Sequence, residues 1–318
     1  MNAKENFLRT IFFENPRWVP REEEEICVAF TFEDMFKFES WTDRWGVRYE
    51  LVQKDMCAFP KGHPLPNLDL LDNYEFPDPY SFDLSDDTRK MLRTIDRDAH
   101  LVLGWIPFFL FERGWALMGM TNFMKSFFTH PKEMKRLLHE IANFNIGIFE
   151  RYLEMGVDGV IFSEDLGHQR GLMVPRKFLT EFFIPEYRRC FEPLLKEEKI
   201  IIFHSCGCIQ DIIEVFIDLG VTILNPVQAR ANNLELIKRK ADGKLALWGG
   251  IDTQHILTLG TPKMVQEEVK RVLSVLAPGG GYIIAPDQSF PVPEENMKAL
   301  WAAARKYGKY PLIHPASS

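Results

Sequence analysis

The chain has 318 residues, 46% of them hydrophobic and 26 of them Phe, with 38 Lys+Arg against 45 Asp+Glu and a net charge of −7. Such a composition fills a core and argues against a disordered chain, and the acidic balance, with no Lys/Arg cluster long enough to offset it, weighs against a binder of nucleic-acid phosphates. No apolar run approaches the roughly 18–20 residues of a membrane span, residues 1–20 carry no apolar signal core, and five cysteines, an odd number, fit a reducing cytoplasm better than a disulfide framework.

Residues 1–100 are rich in Phe, Trp, Pro and acidic side chains, with weak periodicity. Residues 27–31 read as a short buried strand, and 55–79, with its prolines, as irregular cover. The aromatic group Phe30, Phe32, Phe36, Phe38, Trp41 and Trp45 is expected to fill core; the sharper alternative is a lid over an apolar pocket.

From residue 100 the pattern is regular. An apolar run at 101–106 predicts a strand. Pro131 opens a helix in which Met134, Leu137, Leu138, Ile141, Ile148 and Tyr152 recur at helical spacing, and Gly156 stops it. Strands are then expected at 157–163, 199–203, 221–224, 244–248 and 282–285. Helices are expected at 209–219, 234–240 and 262–276, with a last one from about 293 to 307. Strands alternating with helices imply a parallel sheet. The predicted architecture is a (β/α)8 TIM barrel with an irregular aromatic-rich N-terminal extension. It forms a single domain over 1–318, with 1–100 as cover and 101–318 as regular units. The barrel is preferred to a doubly wound sheet because successive strand ends all carry polar groups, which a barrel gathers on one face, and because no phosphate-cradling glycine motif is present.

Four clusters carry chemistry. In Phe203-His204-Ser205-Cys206-Gly207-Cys208, an imidazole and a thiol two residues apart just past a strand can meet at one zinc ion; the plainer reading is a satisfied core histidine beside small buried cysteines. Glu164 and Asp165 end another strand, where only one of two neighbours points easily into the mouth. Glu164 is then a metal ligand or acid/base and Asp165 an orienting group, against a plain helix cap for Asp165. Asn225 and Gln228 can bond a polar substrate atom. Asp252 is a catalytic carboxylate or a helix cap, and Asp287, past the strand that follows Pro278-Gly279-Gly280-Gly281, is an oxygen ligand or a loop residue.

Taken in order, Gly156-Val-Asp-Gly-Val160, Glu164-Asp-Leu-Gly167, Pro175, His204-Ser-Cys-Gly207, Asn225-Pro-Val-Gln228, Trp248-Gly-Gly-Ile-Asp252 and Pro278-Gly-Gly-Gly-Tyr-Ile283 resemble the uroporphyrinogen decarboxylase superfamily, and Asp43-Arg-Trp-Gly-Val47 resembles its Asp-x-Trp-Gly signature. The resemblance implies a cytoplasmic barrel, a dimer, and one of two chemistries. These are cofactor-free decarboxylation of porphyrinogens, or zinc-dependent methyl transfer involving a corrinoid (cobalamin) on a partner protein. The decarboxylases' Arg-Gln-Ala-Gly-Arg motif is missing; Arg9, Arg17 and Arg21 sit in other contexts. The methyltransferases carry His-x-Cys, matched by His204 and Cys206, and a later Cys where this chain has Pro278–Gly281. Glu164 is the expected substitute ligand, with Cys208 the alternative. The expected function is therefore transfer of a methyl group from a small O-methyl substrate (an aromatic ether held by the N-terminal aromatics) or an S-methyl substrate to the corrinoid. A decarboxylase or a non-catalytic binding barrel is the alternative.

Overall fold

The computed structural model describes residues 1–33, 37–52, 57–241 and 243–312. Seven parallel strands, β1 (Cys27–Phe30), β2 (Leu101–Ile106), β3 (Gly159–Ser163), β4 (Ile200–His204), β5 (Ile223–Val227), β6 (Ala246–Ile251) and β7 (Tyr282–Pro286), pair in chain order. They form a curled α/β half-barrel. The predicted eighth strand is replaced by one parallel bridge, Arg21 to Ile284 on β7, and residues 21–26 then cross toward β1. Residues 27–31, expected as a strand within the cover, thus supply the first stave of the barrel itself.

The two-residue alternation of strand side chains sorts the core. Leu101, Leu103, Ile200, Ile202, Ile223, Ala246 and Ile283 point inward at the strand starts, where helix α1 (Ala3–Ile11) plugs the barrel with Phe7 and Ile11. Val102, Val160, Phe162, Ile201, Phe203 and Leu247 point outward under the helices. Nothing in the cover's weak periodicity announced α1. The helices α2 (Leu110–Met118), α3 (Pro131–Glu154), α4 (Ile184–Lys196), α5 (Leu234–Ala241), α6 (Pro262–Leu276) and α7 (Glu294–Tyr307) complete the outer layer. Helix α3 and helix α6 have the bounds that Pro131 and Pro262 set at their first helical positions. Expected helix 209–219 begins instead with a 3₁₀ turn at Gln210–Ile212, followed by a short α-helix at Ile213–Asp218.

The N-terminal aromatics fill core outside the barrel. Phe30 and Phe32 pack on Tyr152, each with ring centres 5.3 Å away, and Trp45 packs on Phe144 at 4.6 Å. Phe38 is exposed, and Phe36 lies outside the described residues. Asp43 folds the turn of its signature by accepting the amides of Trp45 (3.0 Å) and Val47 (2.8 Å). Its other oxygen takes Arg113 at 2.8 Å. Arg113 also pairs with Glu33 and lies over the Trp45 ring at 4.6 Å. This buried ion group ties the cover to α2.

Candidate metal centre at the strand ends

His204 ends β4, and Cys206 follows where the chain turns away. The imidazole Nε2 lies 3.6 Å from the Cys206 sulfur and 3.8 Å from an Asp165 oxygen. The three ligand atoms of Asp165, His204 and Cys206 lie within 4.8 Å of one another, and among the described residues this is the one such group of three or more. A tetrahedral zinc with ordinary bond lengths spaces its ligands by roughly 3.4–3.6 Å, and three protein ligands leave one position for substrate. Asn225, in the middle of β5 and paired beside His204, accepts the imidazole Nδ1–H at 2.7 Å. That bond fixes the tautomer and turns the Nε2 lone pair toward the other two ligands, an arrangement common at metal-binding histidines. Gln288 donates its amide to the Cys206 sulfur at 3.2 Å. Burial, with Asp165 adding to it and Gln288 opposing, pushes the Cys206 thiol up to about 12, so at neutral pH the side chain is a thiol that a divalent cation would deprotonate. The donor set and its spacing fit zinc.

Strand alternation decides between the adjacent carboxylates. Glu164, the expected ligand, faces outward and is fully buried. Its oxygens accept the amides of Phe111 (2.7 Å) and Glu112 (3.1 Å) and the Tyr187 hydroxyl (2.6 Å). It therefore caps α2, whose own N-cap residue, Phe109, offers no side-chain bond. Burial lifts its carboxyl to about 7 against those bonds. Asp165 comes round to the inner side, accepting the Cys206 amide at 2.8 Å. Glu112, behind it, is held well above the carboxylate range by burial and by Asp165 and Glu164.

The other expected site residues hold the loops that surround the trio. Gln228 accepts the Gly207 amide at 2.7 Å. Asp287 spends its two oxygens on the amides of Ala229 (2.9 Å) and Thr253 (3.0 Å). Asp252 caps the turn after β6 through the His255 amide at 3.1 Å and pairs with Arg230. Cys208 is buried away from the trio, its amide bonded to the His168 carbonyl. The turn Pro278–Gly281 precedes β7 and packs on the segment after α1, with the Gly281 amide on the Thr10 carbonyl. It therefore lies at the opposite end of the barrel, where no side chain could complete the trio. Gln288, just past the other end of that strand, occupies the mouth instead.

Sequence reasoning missed Gln288, Asn232 and Tyr187. Gln288 was within reach, since it follows Asp287 past a strand end. Asn232 bonds the Ile209 and Gln210 amides and the carbonyls of Gly207 and Gln228, a role that depends on two loops meeting. Gly207 itself has φ +81° and touches Gly167 backbone so closely that a Cβ would lie 2.3 Å from its carbonyl carbon. Gly207→Ala is expected to cost at least ~2 kcal/mol and to lower metal content with it, measured by urea unfolding and metal analysis. Asn225→Ala is expected to leave the fold intact and weaken zinc affinity by about 10–100-fold, read by chelator competition.

A cavity of about 640 Å³ opens beside the trio, lined by Glu22, Trp105, Ser163, Asn225, Phe290 and Met297 among others. The fold and the site together define a TIM-barrel-type α/β protein whose polar groups converge at the carboxyl ends of its strands. The chain belongs to the uroporphyrinogen decarboxylase family: the Uroporphyrinogen decarboxylase (URO-D) family model matches residues 111–307, more than half of the chain. A curated relative, the methylcobamide:CoM methyltransferase MtbA of Methanosarcina acetivorans, is 23% identical over 186 residues. That match covers 57% of this chain and 51% of that protein, so the chain spans about half the length of the relative. A solved methyltransferase from Methanosarcina mazei shares the fold with a TM-score of 0.69 at 16% identity, over 96% of this chain and 99% of that one.

Proposed function

We propose that this protein is a zinc-dependent methyltransferase. It takes a methyl group from a small O-methyl or S-methyl substrate and delivers it to a corrinoid carried by a partner protein seated over the strand ends, in the cytoplasm. The observation that carries the reading is the convergence of Asp165, His204 and Cys206, with the imidazole oriented by Asn225, at the mouth of a barrel of this family. Likeness to two methyltransferases supports it. Five free cysteines agree with a reducing compartment, and among the described residues no helix is long and apolar enough to cross a membrane.

Zinc, when bound, would supply Lewis acidity to the atom that carries the methyl group. The chain's own residues hold the remainder of the site. Asn225 keeps the imidazole tautomer, Gln288 donates to the sulfur, and Asp165 adds an oxygen. The cavity seats the substrate beside the open position. Its described lining takes its rings from Trp105 and Phe290 rather than from the N-terminal aromatics. A porphyrinogen decarboxylase would need cations for several substrate carboxylates, and among the described lining residues there is no Lys or Arg. Arg9 pairs with Glu5 on α1, at the far end, and Arg21 pairs with Glu23 and Glu24. The test is metal content by mass spectrometry of protein purified without added zinc, followed by methyl transfer to free cobalamin(I). Near-stoichiometric zinc and cobalamin methylation are expected. A metal-free protein that decarboxylates a porphyrinogen would overturn the reading.

A further inference from the structure

The gap between β7 and β1 carries a carboxylate that the reading above does not use. After Arg21 bridges to Ile284, the chain crosses the gap as a single turn, Glu22–Glu24. Glu22 is the residue shared by two cavities. One is the 640 Å³ cavity beside His204 and Cys206; the other, about 490 Å³, is lined by Cys27, His100 and Trp248. Glu22 is exposed in that gap, and Trp248 lines the second cavity with it. Among the described residues no Lys or Arg forms an ion pair with it, because its neighbour Arg21 is held by Glu23 at 2.8 Å and by Glu24. The acidic partner across the cavity, Asp287, has both oxygens occupied by backbone amides.

A carboxylate that opens onto a cavity without an ion-pair partner is available to attract a cation there. The cavity also offers Trp105, anchored by its indole N–H on Ser163 at 3.0 Å, and Phe290. Aromatic rings with a nearby carboxylate are the chemistry that selects organic ammonium groups, and they repel carboxylates and sulfonates. We propose that the cavity takes a substrate bearing an organic ammonium group, held by Glu22 against Trp105, with its methyl-bearing atom toward the Asp165–His204–Cys206 trio. The placement of the methyl-bearing atom rests on the methyl-transfer reading; the preference for a cation does not.

The test is a binding titration on the full-length protein, as isolated and zinc-loaded, followed by calorimetry. The probes are choline, its uncharged isostere 3,3-dimethylbutan-1-ol, and methanesulfonate. Choline is expected to bind at least about tenfold tighter than the isostere, with methanesulfonate weakest. Glu22→Gln, checked for folding by circular dichroism, is expected to erase that preference and to keep its zinc; Glu22→Asp is expected to retain part of it. Equal or tighter binding of the isostere or the anion, no choline binding at millimolar concentration, or a preference that survives in Glu22→Gln would overturn the proposal. Failure of the methyl-transfer reading is read separately. A choline preference in a protein that holds no zinc would remove that reading and leave this one standing.

Discussion

Cys206→Ala is expected to reduce bound zinc from near one per chain to below about one tenth, and to reduce methyl transfer by about a hundredfold or more. The reason is the size of the set. The group supplies three ligands, and the thiolate is the one that most favours zinc over harder cations. The sulfur is half-buried at the mouth, bonded to Gln288 and close to His204, and its loss removes little core packing. Thermal unfolding is therefore expected to change little, which separates a lost ligand from a lost fold. A companion pair identifies the carboxylate. Asp165→Asn is expected to weaken zinc binding with the fold retained. Glu164→Gln is expected to leave zinc per folded chain unchanged and to lower stability by about 1–3 kcal/mol, because it disturbs the bonds to Phe111, Glu112 and Tyr187. A Cys206→Ala protein with full zinc and full activity would refute the assignment, as would zinc loss in Glu164→Gln with Asp165→Asn unaffected.

Arg113→Ala is expected to destabilise the protein by about 3–5 kcal/mol. Arg113 is 2% exposed and meets Glu33 and Asp43, themselves buried, while Trp45 and Phe108 lie within 4.6 and 5.0 Å of its guanidinium. Removing the cation leaves two neighbouring carboxylates without its compensating charge in a dry site, where each charge costs several kcal/mol. It also removes the packing of Trp45 and frees the turn that Asp43 organises. Urea unfolding reads the loss, and a red shift of tryptophan emission is expected with it. The charge argument has its own control. Asp43→Asn in the Arg113→Ala background is expected to recover part of the loss, since one of the opposed charges is gone. A double variant no more stable than Arg113→Ala would show that packing, not charge, governs the site.

The strand order of residues 101–307 and the helices at 131–154, 234–241, 262–276 and 294–307 were legible because those elements have their own periodicity and terminators, whereas the helices Leu110–Met118, Met120–Thr129 and Ile184–Lys196 were not expected. Pro131 and Pro262 open helices where the structure has them, and the apolar run at 101–106 is β2. The convergence of His204, Cys206 and an acidic partner was legible for the same reason: residues just past parallel strands end up on one face. What failed to show locally was any feature made by two distant segments. Helix α1 is defined by the barrel end that it plugs. The 3₁₀ turn at 210–212 owes its place to Asn232 on the next loop. The buried role of Asp43 needed Arg113, seventy residues on.

By itself the sequence determined the α/β class, the order of the strands and the residue types at their carboxyl ends, because hydrophobic periodicity and turn chemistry are local. Only the tertiary structure decided which of the neighbours Glu164 and Asp165 faces the trio, that Pro278–Gly281 lies at the far end of the barrel, and that Glu22 fills the gap in its wall. Each of those depends on the side of a strand or the end of a barrel to which a residue is carried. A one-residue step reverses the face, and one strand length separates the two ends by about 16 Å.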